Sequence, residues 1–177
     1  IGRSAWSSDG YFDGTVAYLR LWDGVALDES QVEHLFDERH PPNHAIDFRG
    51  CSDLSPTADY GVDGAGIFAT AVNGATCSDE GMVFDGVNDY LDVDPWEFGG
   101  EPMTVEAYVK YDALNTWSRF FDFGDGQHDD NVFLSNIGTS GRSAFGVIVG
   151  NSQDRLDSPT SVLVTNTWEH IVATVDG

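Results

Sequence analysis

Lysine is almost missing from this chain: Lys110 is the only one in 177 residues. All basic residues together number 8 against 30 acids, for a formal net charge of -22. A surface of that sign is repelled by phosphate, which excludes nucleic acid and anionic membranes as partners. No apolar run approaches the roughly 18 residues that a membrane-spanning helix needs, so membrane insertion is not expected. Cysteine is scarce as well. Cys51 and Cys77 stand alone, with no CxxC spacing or Cys/His cluster, which excludes the usual zinc sites. An even pair in a Gly- and Asp-rich β chain fits one disulfide in an oxidising compartment, with two buried thiols as the alternative. Closing that loop stabilises the fold by roughly 3–4 kcal/mol in the chain-entropy model.

Catalytic motifs are missing too. There is no GxSxG elbow, and GVDGAG lacks the Lys-Ser/Thr and helix of a phosphate loop. A glycosidase needs two carboxylates facing one bond. The only Glu inside a strong strand pattern is Glu106, in TVEAYVK, with no acid two positions away. The five histidines are scattered, and His170 in WEHIVA reads as a packed strand residue. No Asn-x-Ser/Thr sequon occurs, so N-glycosylation is not expected. The chain reads as non-catalytic.

What is present is aspartate, glycine and short β patterns. Of the acids, 22 are Asp. Asp fills β-turns by capping the local backbone, and it is also a compact oxygen ligand for Ca²⁺. TVAYLRLW (15–22) alternates in the strand manner, with Ala17, Leu19 and Leu21 opposite Tyr18, Arg20 and Trp22. LDESQVEHLF (27–36) predicts a short helix, capped by Asp28 with Gln31 completing a capping box, and stopped by Pro41 and Pro42. From Ile46 onward, IDFRG, GMVFDG, DYLDV, MTVEAYVKY, SRFFDFG, NVFLSN, SAFGVIVG and TWEHIVATV predict strands separated by turns. Many short strands at this spacing mean an all-β antiparallel jelly-roll sandwich with one short helix.

Two acidic loops are candidate metal sites. DFGDGQHDDN offers Asp122, Asp125, Asp129, Asp130 and Asn131; GVNDYLDVD offers the weaker set Asn88, Asp89 and Asp92. Calcium is the one cofactor these oxygens suit. Trp6, Trp96 and Trp117 lie in turn-like contexts and are candidates for stacking on a sugar, while Trp22 and Trp168 read as core.

Several stretches together resemble a known family. MVFDGVNDYLDV (82–93), MTVEAYVKY (103–111), RFFDFGDGQHDDNVFLS (119–135) and WEHIVATVDG (168–177) are similar to the front of a laminin G-like domain of the concanavalin A-like, pentraxin-type superfamily. IGRSAW and YFDGTVAYLRLWDGVALDESQVEHLF (11–36) resemble the back of such a domain. The resemblance implies a laminin G-like jelly roll, and Asp130-Asn131 before VFLS is similar to the pentraxin calcium-binding pair. SAWSSDG (4–10) lacks the acidic run that supplies further pentraxin ligands.

The back precedes the front. The expected organisation is therefore a window of a tandem array: residues 1–39 end one repeat, 40–45 link, and 46–177 begin the next, incomplete one. A circular permutant, or exchange of halves between molecules, are the rival arrangements. The expected protein is a secreted, extracellular structural or adhesive repeat, able to build a fibre or surface coat. Its expected partners are neighbouring repeats, other copies of itself, and polysaccharide or glycoprotein. A calcium-dependent lectin-like module is the alternative, and an accessory domain of a polysaccharide-degrading enzyme a weaker one.

Overall fold

The computed structural model describes residues 1–35, 42–51, 57–58, 68–95, 102–124, 126–127 and 129–176. The elements in chain order are β1 (Asp13–Asp23), α1 (Glu29–Glu33), β2 (His44–Asp47), β3 (Thr57–Ala58), β4 (Phe68–Val72), β5 (Thr76–Cys77), β6 (Met82–Asp85) and β7 (Tyr90–Val93), followed by β8 (Met103–Ala113), β9 (Arg119–Phe123), β10 (Val132–Asn136), β11 (Ser143–Val149), β12 (Ser152–Asp157) and β13 (Trp168–Val175). They form an antiparallel jelly-roll sandwich. The back sheet runs β13-β8-β1-β6-β5, with β2 also paired to β1. The front layer contains β12-β11-β10-β9 and, beside it, β3-β4-β7. Residues 1 and 2 bridge the two front pieces. Leu91 N donates to Ile1 O at 2.9 Å, and Gly2 N donates to Phe120 O at 2.9 Å.

Alternation explains the layers. Val16, Leu19 and Leu21 of β1 and Val105, Ala107, Val109 and Tyr111 of β8 point into one core, where they meet Leu91, Phe121, Val132, Leu134 and Phe145 of the front. A bulge between Val16 and Tyr18 sets the register of β1 on β8. Gly14 is required at the second register shift, between Asp13 and Gly14: a Cβ would lie 2.1 Å from Lys110 O. On the outer side of the back sheet Trp22 joins Leu27 and Leu35 in a second cluster, under the short helix. The expected capping box is present, with Gln31 N donating to Asp28 Oδ1 at 2.8 Å and Asp28 N donating to Gln31 Oε1 at 2.9 Å. Phe36 and Pro41 lie outside the described residues.

Cys51 and Cys77 are joined in a disulfide with Cα atoms 5.8 Å apart, tying the stretch after β2 to the start of the β5-β6 hairpin. β1 sits at the centre of the back sheet, between β6 and β8, and its Val16, Leu19 and Leu21 share one core with Ile46, Phe84, Val105, Phe121 and Leu134. No helix among the described residues is long and apolar enough to cross a membrane.

Candidate functional site: a cleft between Trp6 and Trp117

The outer face of the front sheet carries the densest mixture of aromatic and charged groups. Strand register puts Asp122 opposite Phe133, Arg119 opposite Ser135, Gly146 opposite Phe133 and Arg155, and Ile148 opposite Gln153. These side chains alternate with Val132, Leu134 and Phe145, which face the core, so they share the outer side of the sheet.

Two loops fold onto this face. In SAWSSDG, Ser4 Oγ donates to Asp9 Oδ2 at 2.7 Å, accepts from Trp6 N at 3.0 Å, and so closes a tight turn. Gly10 N donates to Thr116 O at 2.6 Å, and Asn115 Nδ2 donates to Tyr11 O at 3.0 Å. A Cβ on Gly10 would sit 2.8 Å from Asn115 Cβ, so only glycine lets the loops touch. Their contact brings Trp6 and Trp117 to one cleft of about 190 Å³, lined also by Asp9, Arg119, Phe133, Gln153 and Arg155. Trp117 is held at φ +51°, a left-handed conformation costly for an aromatic residue, with its N–H bonded to Gly138 O at 2.8 Å.

Arg119 organises the cleft floor. Its guanidinium lies 4.1 Å from the Trp6 ring centre and 4.0 Å from that of Phe133. It donates to Asp122 Oδ2 at 2.8 Å and Asp9 Oδ2 at 3.2 Å. Burial lowers its pKa and the two carboxylates counter that; an arginine so paired stays charged at neutral pH. Its buried Nε has no partner among the described residues. Arg155, its guanidinium 5.3 Å from the Trp117 ring centre, is paired to Asp157 at 2.7 Å. Trp6 and Asp9 also line a neighbouring pocket of about 650 Å³, which continues through Arg3, Asp122 and Gly124 into one of about 370 Å³. The three concavities are neighbours across the front, each sharing lining residues with the next.

The two acidic loops converge on the far end of that row, where Asp92, Asp94, Asp122 and Asp130 line the smaller of the two neighbouring pockets. Within it, Asp122 is already committed: Oδ2 also accepts from Ala5 N at 2.7 Å, and Oδ1 from Asn131 Nδ2 at 3.2 Å. Buried Asn131 accepts from Asp129 N at 3.1 Å. Asp130, at φ +50°, caps Gly150 N at 2.8 Å. Asn88 gives its carbonyl to Asn73 at 3.1 Å, and buried Asp89 accepts from Asp85 N at 3.2 Å. Among the described residues no group of three His, Cys, Asp or Glu side chains is placed to hold a metal. Asp125 and Trp96 lie outside the described residues.

A second polar cluster was not foreseen. On the outer face of the back sheet, buried Glu106 accepts from Tyr18 OH at 3.1 Å, pairs with His170 Nε2 at 2.8 Å, and receives Arg20 Nη1 at 3.4 Å. Burial pushes the Glu106 carboxyl up, but the His170 hydrogen bond and the Arg20 charge prevail and hold it below the usual range. Beside it Tyr18, Tyr108 and Trp168 stack in a row, with centroids 5.9 and 4.8 Å apart. Trp168 therefore belongs to this half-exposed row and not to the main core. Tyr18 in this row is buried, and Tyr108 and Trp168 are half-buried.

Among curated proteins and among solved structures, none matches this chain. A laminin G-type family model, described as the concanavalin A-like lectin/glucanases superfamily, matches residues 85–177, just over half of the chain. With the antiparallel sandwich, that match identifies the chain as a member of the laminin G-like family of the concanavalin A-like superfamily.

Proposed function

We propose that this chain is a non-catalytic adhesive domain that binds saccharide in the cleft anchored by Trp6 and Trp117. The observation that carries this reading is their meeting in one cleft, although 111 positions apart in sequence, beside Arg119, Arg155 and Gln153. Sugar rings present C–H faces to aromatic rings and hydroxyl pairs to planar polar groups, and a strained Trp117 is a residue held in place for a purpose. The disulfide and the family support a secreted, extracellular setting. In a longer protein, tandem display of such domains would multiply weak glycan contacts into adhesion.

The test is a screen of neutral and acidic oligosaccharides against the chain, followed by calorimetric titration of the best ligand. Trp6→Ala and Trp117→Ala are each expected to weaken it by about tenfold or more. Retention of full affinity by both variants would place the site elsewhere. A calcium-dependent form of this reading would have to draw together Asp92, Asp94, Asp122 and Asp130, which line one pocket but are not placed to hold a metal as they stand. It requires that chelation abolish the binding and that Asp130→Asn weaken its calcium dependence.

A further inference from the structure

The Trp6–Trp117 cleft holds two guanidinium groups, and both are already paired. Arg119 lies between two carboxylates, donating to Asp122 Oδ2 at 2.8 Å and to Asp9 Oδ2 at 3.2 Å. Arg155 holds Asp157 through Nε at 2.7 Å and Nη2 at 3.0 Å. Arg142 approaches Asp157 only to 4.0 Å and does not line the cleft. A ligand carboxylate or sulfate therefore meets no free guanidinium among the described residues, and it would have to displace an aspartate to pair with Arg119.

Asp9 gives the cleft floor its sign. The Asp9–Arg119–Asp122 group carries one negative charge in excess. Its three side chains are 10%, 5% and 1% exposed, so water screens that charge weakly. Asp9 Oδ2 is used twice, by Ser4 Oγ at 2.7 Å and by Arg119. Asp9 Oδ1 accepts no hydrogen bond among the described residues. Asp9 lines both the cleft and the neighbouring pocket of about 650 Å³, so a chain of sugar rings running from one to the other passes it. A sugar hydroxyl can donate to this carboxylate, whereas a uronate or a sulfate ester brings only acceptors and a like charge. Gln153 is exposed, has no side-chain partner among the described residues, and offers both a donor and an acceptor to hydroxyls.

We infer that Asp9 is the specificity determinant of the cleft: it admits uncharged, hydroxyl-rich saccharide through its free oxygen and excludes saccharide that carries carboxylate or sulfate. This inference rests on the saccharide reading above and names its ligand class. The net charge of -22 also repels acidic glycans, but over a distance that salt screens. Exclusion by Asp9 acts at contact and persists in salt.

The test is calorimetric titration of the 177-residue chain with matched pairs that differ in charge at C6. The pairs are cellotetraose and the corresponding glucuronic acid tetramer, β-1,4-mannotetraose and the mannuronic acid tetramer, and tetragalacturonic acid methyl ester and its free acid. The best ligand of the saccharide screen is titrated beside them. A neutral member is expected to bind about tenfold or more tighter than its acidic partner at both low and high salt. Asp9→Asn keeps an acceptor for Ser4 and removes the charge; it is expected to narrow that gap by about tenfold. Should Asp9→Asn lose its cooperative unfolding, Gln153→Lys replaces it: a cation on the exposed rim offsets Asp9 and narrows the same gap. Acidic ligands that bind as tightly as neutral ones, and are lost in Trp6→Ala, overturn this inference and leave the saccharide reading intact. A gap that closes at high salt, or that survives the substitution unchanged, overturns it too. Binding of no saccharide at all overturns both.

Discussion

Glu106 offers the sharpest test of how the back sheet is held. Its side chain is 1% exposed, yet it carries a charge, so its partners must compensate for lost hydration. His170 supplies a charge-assisted bond at 2.8 Å, Tyr18 a hydroxyl at 3.1 Å, and Arg20 a longer contact at 3.4 Å. In Glu106→Ala, His170 and Arg20 turn to water, being 35% and 22% exposed. The Tyr18 hydroxyl is mostly buried and cannot. Losing the His170 bond costs about 1.5–3 kcal/mol and orphaning the Tyr18 donor about 1–3 kcal/mol. The sum, about 2.5–6 kcal/mol, brackets the cost of about 3–5 kcal/mol for breaking a buried pair, and that narrower range is the expected loss. For a domain of this size that lowers Tm by roughly 6–20 °C. Glu106→Gln keeps the shape and loses the charge, so about half that cost is expected.

The pH dependence separates charge from shape. Because the folded pKa of Glu106 lies below its ordinary value of 4.5, its ionised form stabilises the fold fully above about pH 4.5. That stability is lost as pH falls through the lower folded value. The other carboxylates titrate too, so the quantity to measure is the difference between wild type and Glu106→Gln in urea unfolding. It is expected to be present above about pH 4.5 and to shrink as pH falls below that value. A difference that stays the same down to the lowest pH would refute an ionised Glu106 in the native sheet.

Removing the disulfide with Cys51→Ala and Cys77→Ala is expected to cost about 3.5 kcal/mol for this loop in the chain-entropy model, read as a lower urea midpoint; no loss would mean that the loop is ordered without it. Gly146→Ala drives a methyl to 2.4 Å from the Phe133 ring, which Arg119 and Trp6 hold in place. It is expected to cost about 1–3 kcal/mol and to weaken saccharide binding with it. Asp28→Ala removes the helix cap and is expected to cost about 1 kcal/mol in thermal unfolding, with saccharide affinity unchanged because the helix lies on the opposite sheet.

The chemical alphabet of the chain determined its class by itself. Alternation in 15–22, 103–111 and 168–175 could only make strands that bury one face, and Asp28 with Gln31 could only begin a helix. Local pattern also offered Trp6, Trp96 and Trp117 as turn tryptophans, of which Trp6 and Trp117 line one cleft and Trp96 lies outside the described residues. Local pattern could not find β12. SQDRLD has no apolar alternation and becomes a strand only because β11 offers a partner. Nor could it pair Glu106 with His170, whose meeting depends on the register between β8 and β13. The roles of Asp122 and Asn131 were decided the same way. Sequence offers them as oxygen ligands, but β9 lies against β10, so Arg119, Ala5 and Asn131 take the Asp122 oxygens first, and Asp129 N takes that of Asn131. The cleft exists because Gly10 lets two distant loops touch. Periodicity is a property of neighbours along the chain, whereas a site is made by neighbours in space, and only the packed sheets say who those are.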